Sequence, residues 1–338
     1  MKLSGLRNLL VSLSTAVMLS GLAQAGCLDK PLRGVNLSGG EFGHQNIPGT
    51  LFRDYIYPTQ KDLQFFRNQG ATVIRVPFLW ERLQGESMGA LNAADLAQLQ
   101  NASQWAKDLG LCLILDLHNY GKYQGKTVGS AELPVDAFVD VWKKLAAAFP
   151  DPQWTALGLM NEPVAVPVPQ WLAIAQETVL ALRAADARHL VLVPTGRWSG
   201  AHEFHKTLGG VSAAEVLRTF RDPLNNFAIE LHQYADAGYS GTSASCLPAD
   251  ELKTTMSRVT QWAEQENKRL FLGEFGVANN PACLEALKAQ LESMRSPAWL
   301  GWTYWSAGPW WGNYAYSIQP SGHLEPAQLQ VIRPFLAP

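Results

Sequence analysis

The segment Ala156-Leu157-Gly158-Leu159-Met160-Asn161-Glu162-Pro163 places a carboxylate directly after an apolar run that is typical of a buried strand. The same pattern recurs downstream, where Glu274 follows the apolar run Leu270-Phe271-Leu272. Because a charge at the end of a buried strand is costly to desolvate, each glutamate needs a specific role. If both strands belong to one closed barrel, the two glutamates face one pocket. Such a pair is the minimum equipment for hydrolysing a glycosidic bond.

Eight apolar segments alternate with segments of helical period along the chain. The strand candidates are Leu32–Leu37, Thr72–Phe78, Cys112–His118, Ala156–Met160, His189–Pro194, Asn226–Tyr234, Arg269–Phe275 and Trp299–Trp305. The helix candidates are Thr59–Asn68, Ala93–Leu109, Val135–Ala148, Pro169–Ala184, Ala213–Phe220, Asp250–Gln265, Ala282–Met294 and Pro326–Pro334. Eight strand–helix units predict one closed (β/α)8 barrel, the TIM barrel. The alternative is an open doubly wound sheet, but no Gly-x-Gly-x-x-Gly turn follows the first strand.

The polar and aromatic site candidates stand at the carboxyl ends of these strands. They are Asn36, Arg75, His118, Asn161, Glu162, His232, Tyr234, Glu274 and Trp305. Active sites of (β/α)8 barrels lie on that face, on strand ends and the loops that follow them. We therefore expect the active site at the C-terminal ends of the strands, in one catalytic domain that spans residues 26–338.

The composition excludes some classes of partner and favours others. Only 17% of the 338 residues are charged and the net charge is −2, which argues against nucleic acid as a partner. Twelve tryptophans supply flat apolar faces that suit a neutral pyranose ring, although tryptophan also fills cores. We expect a monomer that acts on a carbohydrate.

The N-terminal residues are typical of a secretory signal peptide. Lys2 and Arg7 give a basic start, Leu9–Leu22 is apolar, and Ala23-Gln24-Ala25 offers a cleavage site. We expect residues 1–25 to be removed near Ala25, which leaves a secreted protein, extracellular or periplasmic, without a membrane segment. A lipoprotein signal ending at Cys27 is the alternative, but Gln24 stands where an aliphatic residue is expected.

Export makes disulfide bonds possible, and four cysteines allow three complete pairings. Cys246 and Cys283 lie in loop or helix-start contexts, and we expect them to be bridged. Cys112 opens an apolar strand and is either a buried thiol or the partner of Cys27. None of the cysteine spacings is that of a metal knuckle.

Hydrolysis of an acetal needs one protonated carboxyl group and one ionised carboxylate. Glu162 suits the acid, because the loop that contains it can shield it from water. Glu274 suits the nucleophile, since Arg75 and Tyr234 can stabilise its charge. The alternative is that both glutamates form ion pairs at the rim of the barrel.

His118 and His232 at strand ends favour contacts with substrate hydroxyl groups. A satisfied core histidine is the commoner fate of a lone histidine, and a zinc site of two histidines and one glutamate is a further alternative. No His-x-x-Glu-His or His-Glu-x-x-His run is present. We therefore expect neither a metal ion nor an organic cofactor.

Several aromatic residues suit a cleft for a polymer. Trp305 ends the last predicted strand, where a sugar ring can stack on it. Trp310 and Trp311 follow in a glycine- and proline-rich loop, and Trp198 lies in the loop after the fifth strand. We expect Trp198, Trp305 and Trp310 to bind substrate.

These residues together resemble those of the glycoside hydrolase family 5 cellulases, within a clan of retaining (β/α)8 glycosidases. The likeness covers nearly the whole chain after the signal segment. The motifs occur in the family's order: Gly34-Val35-Asn36, Arg75-Val76-Pro77-Phe78, Leu117-His118-Asn119-Tyr120, Asn161-Glu162-Pro163, Leu231-His232-Gln233-Tyr234, Gly273-Glu274-Phe275-Gly276 and Trp305-Ser306. The resemblance implies Glu162 as acid/base, Glu274 as nucleophile, and a cis peptide bond between Trp305 and Ser306. It also implies roles around the cleaved sugar for Arg75, His118, Asn161, His232, Tyr234 and Trp305. Asn36 and the loop Gly39-Gly40-Glu41-Phe42-Gly43 resemble the far side of the cleft.

The resemblance and the residue pattern predict an endo-β-1,4-glucanase that cleaves a β-glucan polysaccharide with retention. We expect carboxyl groups about 5–5.5 Å apart, the separation of retaining enzymes. An endo-β-1,4-mannanase or another β-glucanase of the same family is the alternative within the enzyme class. A carbohydrate-binding barrel without turnover is the alternative from another class.

Overall fold

The computed structural model describes residues 27–320 and 324–336, and it contains a closed eight-stranded parallel barrel. The predicted signal peptide lies outside the described residues. The barrel strands are β1 (Leu32–Leu37), β2 (Val73–Phe78), β3 (Cys112–Leu117), β4 (Thr155–Gly158), β5 (Val191–Pro194), β6 (Phe227–His232), β7 (Leu270–Glu274) and β8 (Trp299–Ala307). Each strand pairs with its neighbour in sequence, and β1 pairs with β8 to close the ring. The predicted (β/α)8 barrel is confirmed.

The helices pack around the barrel through apolar faces, as the helical periodicity predicts. They are α1 (Gln60–Asn68), α2 (Trp80–Leu83), α3 (Ala93–Asp108), α4 (Val135–Ala148), α5 (Val168–Ala184), α6 (Ala213–Leu217), α7 (Ala249–Gln265), α8 (Pro281–Ser293) and α9 (Ala327–Leu336). Helix α6 is shorter than predicted and ends at Leu217. Helix α2 and a small hairpin, Lys122–Tyr123 with Lys126–Thr127, were not predicted, because elements this short carry no periodic signal.

The interior of the barrel is layered, and the layers follow from strand geometry. Alternate residues of a strand face the same side. Val73, Ile114 and Ala228 belong to an apolar cluster at the lower end of the barrel. Two residues further along the same strands stand Arg75, Asp116 and Glu230, all of them buried. The apolar layer is therefore followed, directly below the carboxyl ends of the strands, by a layer of buried charged side chains, which we call the charged floor.

Two disulfide bonds join segments that are distant in sequence. One joins Cys246 to Cys283, the pair selected from the sequence, and it fastens the chain before α7 to the start of α8. The other joins Cys27 to Cys112, so Cys112 is not a free thiol. Cys27 packs in the apolar cluster at the lower end of the barrel, which places this bond at the end opposite the predicted active site.

None of the helices formed by the described residues has the combination of length and apolar character that crossing a membrane requires.

Candidate active site

Arg75 is the centre of the charged floor. It is fully buried on β2, and its guanidinium lies 3.0 Å from Asp116 Oδ2, 3.1 Å from Glu230 Oε1 and 3.0 Å from Glu274 Oε1. Gly273 makes room for this cluster, because a Cβ atom there would stand 2.2 Å from Glu230 Oε1. A buried ion cluster is tolerated only when its charges are paired with good geometry. The floor thus fixes the position of one glutamate from below.

Glu274, the last residue of β7, is held ionised by its neighbours. Its Oε1 accepts a hydrogen bond from Arg75 at 3.0 Å, and its Oε2 accepts one from the Tyr234 hydroxyl at 2.7 Å. Burial alone would raise the pKa of Glu274. The positive charges of His232, Arg75 and His118, with the bond from Tyr234, outweigh burial and lower that pKa below its usual value. Glu274 is therefore a buried carboxylate at the base of a cleft.

Glu162 lies in the turn after β4 and has the opposite electrostatic environment. Its backbone has a positive φ of 39°, which is uncommon for a residue other than glycine. Burial raises the pKa of Glu162, and the negative charge of Glu274 adds to that rise, against the opposing hydrogen bond and charge of His232. Since the pKa of one glutamate is raised and that of the other is lowered, the site holds one group suited to donate a proton and one suited to stay charged.

His232 at the end of β6 connects the two glutamates. Its Nδ1 lies 2.8 Å from Glu162 Oε1 and 3.7 Å from Glu274 Oε2. Burial would lower the pKa of His232, but the charge of Glu274 and the hydrogen bond to Glu162 raise it to about 10. The ring is therefore protonated at neutral pH and donates to Glu162.

Glu162, His232 and Glu274 also form a cluster of the metal-ligand type, with one ligand atom of each within 4.8 Å of the others. A histidine binds a metal ion as the neutral imidazole. Because the pKa of His232 is raised to about 10, a metal ion would have to displace a proton from its ring at neutral pH. The three side chains consequently fit proton transfer better than metal binding.

His118 after β3 forms a wall of the cleft with two aromatic residues. Its Nδ1 lies 2.7 Å from Asp116 Oδ2, and its ring stacks on Trp305 with centroids 5.4 Å apart. The Tyr120 hydroxyl lies 3.3 Å from His118 Nε2. Burial would lower the pKa of His118, but the charge of Asp116 raises it above its usual value. The peptide bond between Trp305 and Ser306 is cis, as the resemblance implied.

The cleft above the glutamates consists of two adjoining cavities of about 970 Å³ and 570 Å³. His44, His118, Tyr120, Trp305 and Trp311 line both cavities and mark where they join. The larger cavity also contains Glu162, Glu274, Trp198, His202 and Tyr239. The smaller cavity is bounded on its other side by residues Glu41, Phe42, Gly43, Gln45 and Ile47.

Six of the eleven predicted site residues line this cleft, and five do not: Asn36, Arg75, Asn161, His232 and Trp310. Asn36 is fully buried, and its amide donates to the carbonyl oxygens of Gly273, Thr303 and Tyr304. Its Oδ1 accepts from Arg75 at 2.9 Å. Asn36 and Arg75 therefore lie beneath the cleft and line neither cavity, and substrate binding by them stays a prediction.

The aromatic predictions also divide into two groups. Trp198 is 46% exposed and lines the larger cavity, as a platform for a sugar requires. Trp310 is exposed but lines neither cavity, and substrate binding by it stays a prediction. Its neighbour Trp311 lines both cavities, because its ring packs on Phe42 and Tyr314 at the rim of the cleft.

Sequence reasoning missed several residues that line the cleft. Tyr120 belongs to the motif Leu117-His118-Asn119-Tyr120, but it was not predicted to bind substrate. Tyr239 stacks on His202 with centroids 3.7 Å apart, and both residues line the larger cavity. All of these residues lie outside the barrel strands, where strand alternation gives no signal.

The fold is a closed (β/α)8 barrel, and one cleft at its strand ends contains two glutamates whose pKa values are shifted in opposite directions. This combination is that of a glycoside hydrolase. The model of the family described as Cellulase (glycosyl hydrolase family 5) matches residues 34–310. The chain therefore belongs to glycosyl hydrolase family 5.

Curated relatives and solved structures agree with this assignment. The chain is 32% identical over 307 residues to "Endo-beta-1,4-glucanase B" of Aspergillus niger, which covers 90% of this chain and 89% of that protein. It is 41% identical to an endo-beta-1,4-glucanase from Xanthomonas axonopodis pv. citri, a triple mutant, with a TM-score of 0.88 over 91% of this chain and 99% of that one. It is 30% identical to the Pseudomonas stutzeri endoglucanase Cel5A in complex with cellobiose, with a TM-score of 0.84 over 93% and 96% of the two chains.

Proposed function

We propose that this chain is a secreted endo-β-1,4-glucanase that hydrolyses internal bonds of a β-glucan with retention of configuration. The observation that carries the proposal is the pair Glu162 and Glu274, which share one cleft and have opposite pKa shifts. The names of the similar proteins support the substrate class.

Glu274 is the nucleophile in this proposal. It attacks the anomeric carbon while Glu162 donates its proton to the leaving oxygen, and Glu162 then accepts a proton from the water that releases the sugar. A carboxylate oxygen of Glu162 and one of Glu274 lie within 4.8 Å of each other. Inverting enzymes need about 6.5–9.5 Å between their carboxyl groups to admit a water molecule, so the short separation supports retention.

Other side chains position the reacting groups. Arg75 donates to Asn161 Oδ1 at 3.1 Å, which leaves the Asn161 amide to act as a donor. We assign this donor to the hydroxyl group next to the cleaved bond, a contact that strengthens in the transition state. His118 and Tyr234 bound the same part of the cleft. Trp305 provides an apolar face for a pyranose ring.

We assign a direction to the cleft. Both glutamates line the larger cavity, and in this proposal the leaving group occupies that cavity, which Trp198 and Tyr239 also line. The sugar that becomes attached to Glu274, and the units before it, then extend toward Trp305 and the smaller cavity. A cleft with room on both sides of the reacting carbon fits attack on an internal bond of a polymer.

The proposal includes export and domain organisation. Residues 1–25 would direct secretion and be removed near Ala25, and residues 26–338 would form the catalytic domain. The disulfide bonds Cys27–Cys112 and Cys246–Cys283 support an oxidising compartment. Because Cys27 is bonded to Cys112, its sulfur is not available for a lipid anchor. We propose a monomer.

The test is reducing-end release from soluble carboxymethyl-cellulose, mannan and xyloglucan, with the wild type and Glu274→Gln side by side. We expect activity on the cellulose derivative that is lost in Glu274→Gln, while the variant keeps its affinity for the polymer. Activity on mannan alone would keep the mechanism and overturn the proposed substrate. Binding without turnover by the wild type would replace the enzyme with a carbohydrate-binding barrel.

A further inference from the structure

Arg82 is a second buried arginine, and it has a different environment from Arg75. It lies on the short helix α2 and is only 1% exposed. No carboxylate of the residues 27–320 and 324–336 forms a salt bridge with it. Its guanidinium instead donates to four backbone carbonyl oxygens, at 3.0 Å to Pro48, 2.7 Å to Gly40, 2.6 Å to Phe42 and 3.1 Å to Gly43.

These four carbonyl groups belong to one segment, residues 40–48, which we call the entry loop. The entry loop has no helix or strand of its own beyond a single bridge at Gly40. A buried guanidinium must satisfy its donors, and a loop without regular structure must satisfy its carbonyl groups. Arg82 meets both needs, and it lies 3.9 Å from the centroid of the Tyr55 ring. Arg82 therefore holds the entry loop through four of its backbone carbonyl groups.

The entry loop forms one wall of the smaller cavity. Glu41, Phe42 and His44 line this cavity opposite His118 and Trp305. The Phe42 ring contacts Trp311 with centroids 4.8 Å apart. Glu41 is buried and its Oε2 accepts from the Gly39 amide at 2.7 Å. Arg82 itself lines neither cavity, so it acts on the cleft only through the loop.

We propose that Arg82 is a positioning residue that sets the wall for the sugar units preceding the cleaved bond, and thereby determines how strongly the enzyme prefers substrates with longer chains on that side. The inference rests on the proposed direction of the cleft, in which those units occupy the smaller cavity. Arg82 does not touch the reacting atoms, so its replacement changes binding of distal units more than the chemical step.

The substitution that tests this is Arg82→Lys, which keeps the charge but replaces the guanidinium fork with a single ammonium group. Substrates are aryl cellobioside, cellotrioside and cellotetraoside, which share one leaving group and differ only in the units before the cleaved bond. For the wild type we expect kcat/KM to rise with chain length. For Arg82→Lys we expect the increase in kcat/KM from cellobioside to cellotetraoside to be roughly tenfold smaller than in the wild type, which is equivalent to about 1.4 kcal/mol of lost binding. We expect kcat to change less than KM.

The matched control is Arg183→Lys. Arg183 is also an arginine with a largely buried side chain. It donates to the backbone carbonyl groups of Ala187 and Asn226, but its guanidinium is paired with Asp222 and it lines neither cavity. We expect Arg183→Lys to lower the melting temperature while the dependence on chain length stays that of the wild type. A merely structural role for Arg82 predicts this same result for both variants, and that result would overturn the inference.

A milder variant keeps the test decisive if Arg82→Lys does not fold. Tyr55→Leu removes the ring beside the guanidinium and leaves the carbonyl bonds in place. We expect a smaller loss of the same kind, and an unchanged dependence on chain length would contradict the inference. Failure of the wild type to cleave any of the three glycosides would overturn the proposed function instead, so the two failures are distinguishable.

Discussion

The hydrogen bond from Tyr234 to Glu274 allows a quantitative prediction for the variant Tyr234→Phe. The phenylalanine keeps the buried ring and removes only the hydroxyl group, which lies 2.7 Å from Glu274 Oε2. A hydrogen bond to a charged group contributes about 1.5–3 kcal/mol. One pKa unit corresponds to about 1.4 kcal/mol, so the pKa of Glu274 should rise by about 1–2 units.

The sign of the change in activity follows from the role of Glu274. The nucleophile must be ionised, and the acidic limb of the kcat/KM profile reports its pKa in the free enzyme. A raised pKa moves that limb to higher pH, while the alkaline limb, which reports Glu162, moves less. The assay is kcat/KM for an aryl cellobioside at closely spaced pH values, with the variant and the wild type measured together.

The control for this experiment is Tyr316→Phe. The Tyr316 hydroxyl is also buried, but it donates to the carbonyl of Ser243 at 2.7 Å and does not contact either glutamate. We expect its pH profile to match that of the wild type. An acidic limb that stays in place in Tyr234→Phe would refute the assignment of that limb to an ionised Glu274 held by Tyr234.

Three further predictions address the charged floor, the bridging histidine and the lower end of the barrel. Arg75→Met leaves Asp116, Glu230 and Glu274 buried without the charge of the arginine that pairs with them. The free energy of unfolding in urea should therefore fall by about 3–5 kcal/mol. A loss below about 1 kcal/mol would contradict the pairing. His232→Asn removes a positive charge that lowers the pKa of Glu162 and of Glu274. Both limbs of the kcat/KM profile should therefore move to higher pH. Movement of either limb to lower pH would be inconsistent with a protonated His232. The double variant Cys27→Ser with Cys112→Ser should lose about 2–4 kcal/mol of stability in the same urea titration. It should keep the wild-type KM at low temperature, because the disulfide bond lies away from the cleft. A changed KM with unchanged stability would contradict that location of the bond.

The residues on the barrel strands could be predicted from the sequence because strand geometry leaves few choices. Alternation along β6 and β7 brings His232 and Glu274 to the same edge, and the pairing of the two strands places them side by side. The parallel register likewise sets Asn36 against Arg75. Alternation shows which side of a strand a side chain faces, but not how far below the cleft it lies. For this reason Asn36 and Arg75 were expected to bind substrate, although they lie below the cleft.

The loops were less predictable, since their shape is set by contacts that are distant in sequence. The entry loop is held by Arg82, which follows it by more than thirty residues. Trp310 and Trp311 are adjacent in sequence, and the packing of Trp311 on Phe42 and Tyr314 places Trp311 at the cleft. The bond between Cys27 and Cys112 spans 85 residues, a pairing that spacing alone leaves open.

The central claim is that Glu274 attacks the sugar and Glu162 supplies the proton. The measurement that tests it most directly is mass spectrometry of the protein after incubation with an activated cellobioside in which fluorine replaces the hydroxyl group next to the anomeric carbon. The fluorine slows release of the sugar, so a covalent intermediate should accumulate, and peptide mapping should place the added disaccharide on Glu274. A stable adduct on another carboxylate, or turnover through an inverted product with no adduct, would contradict the account.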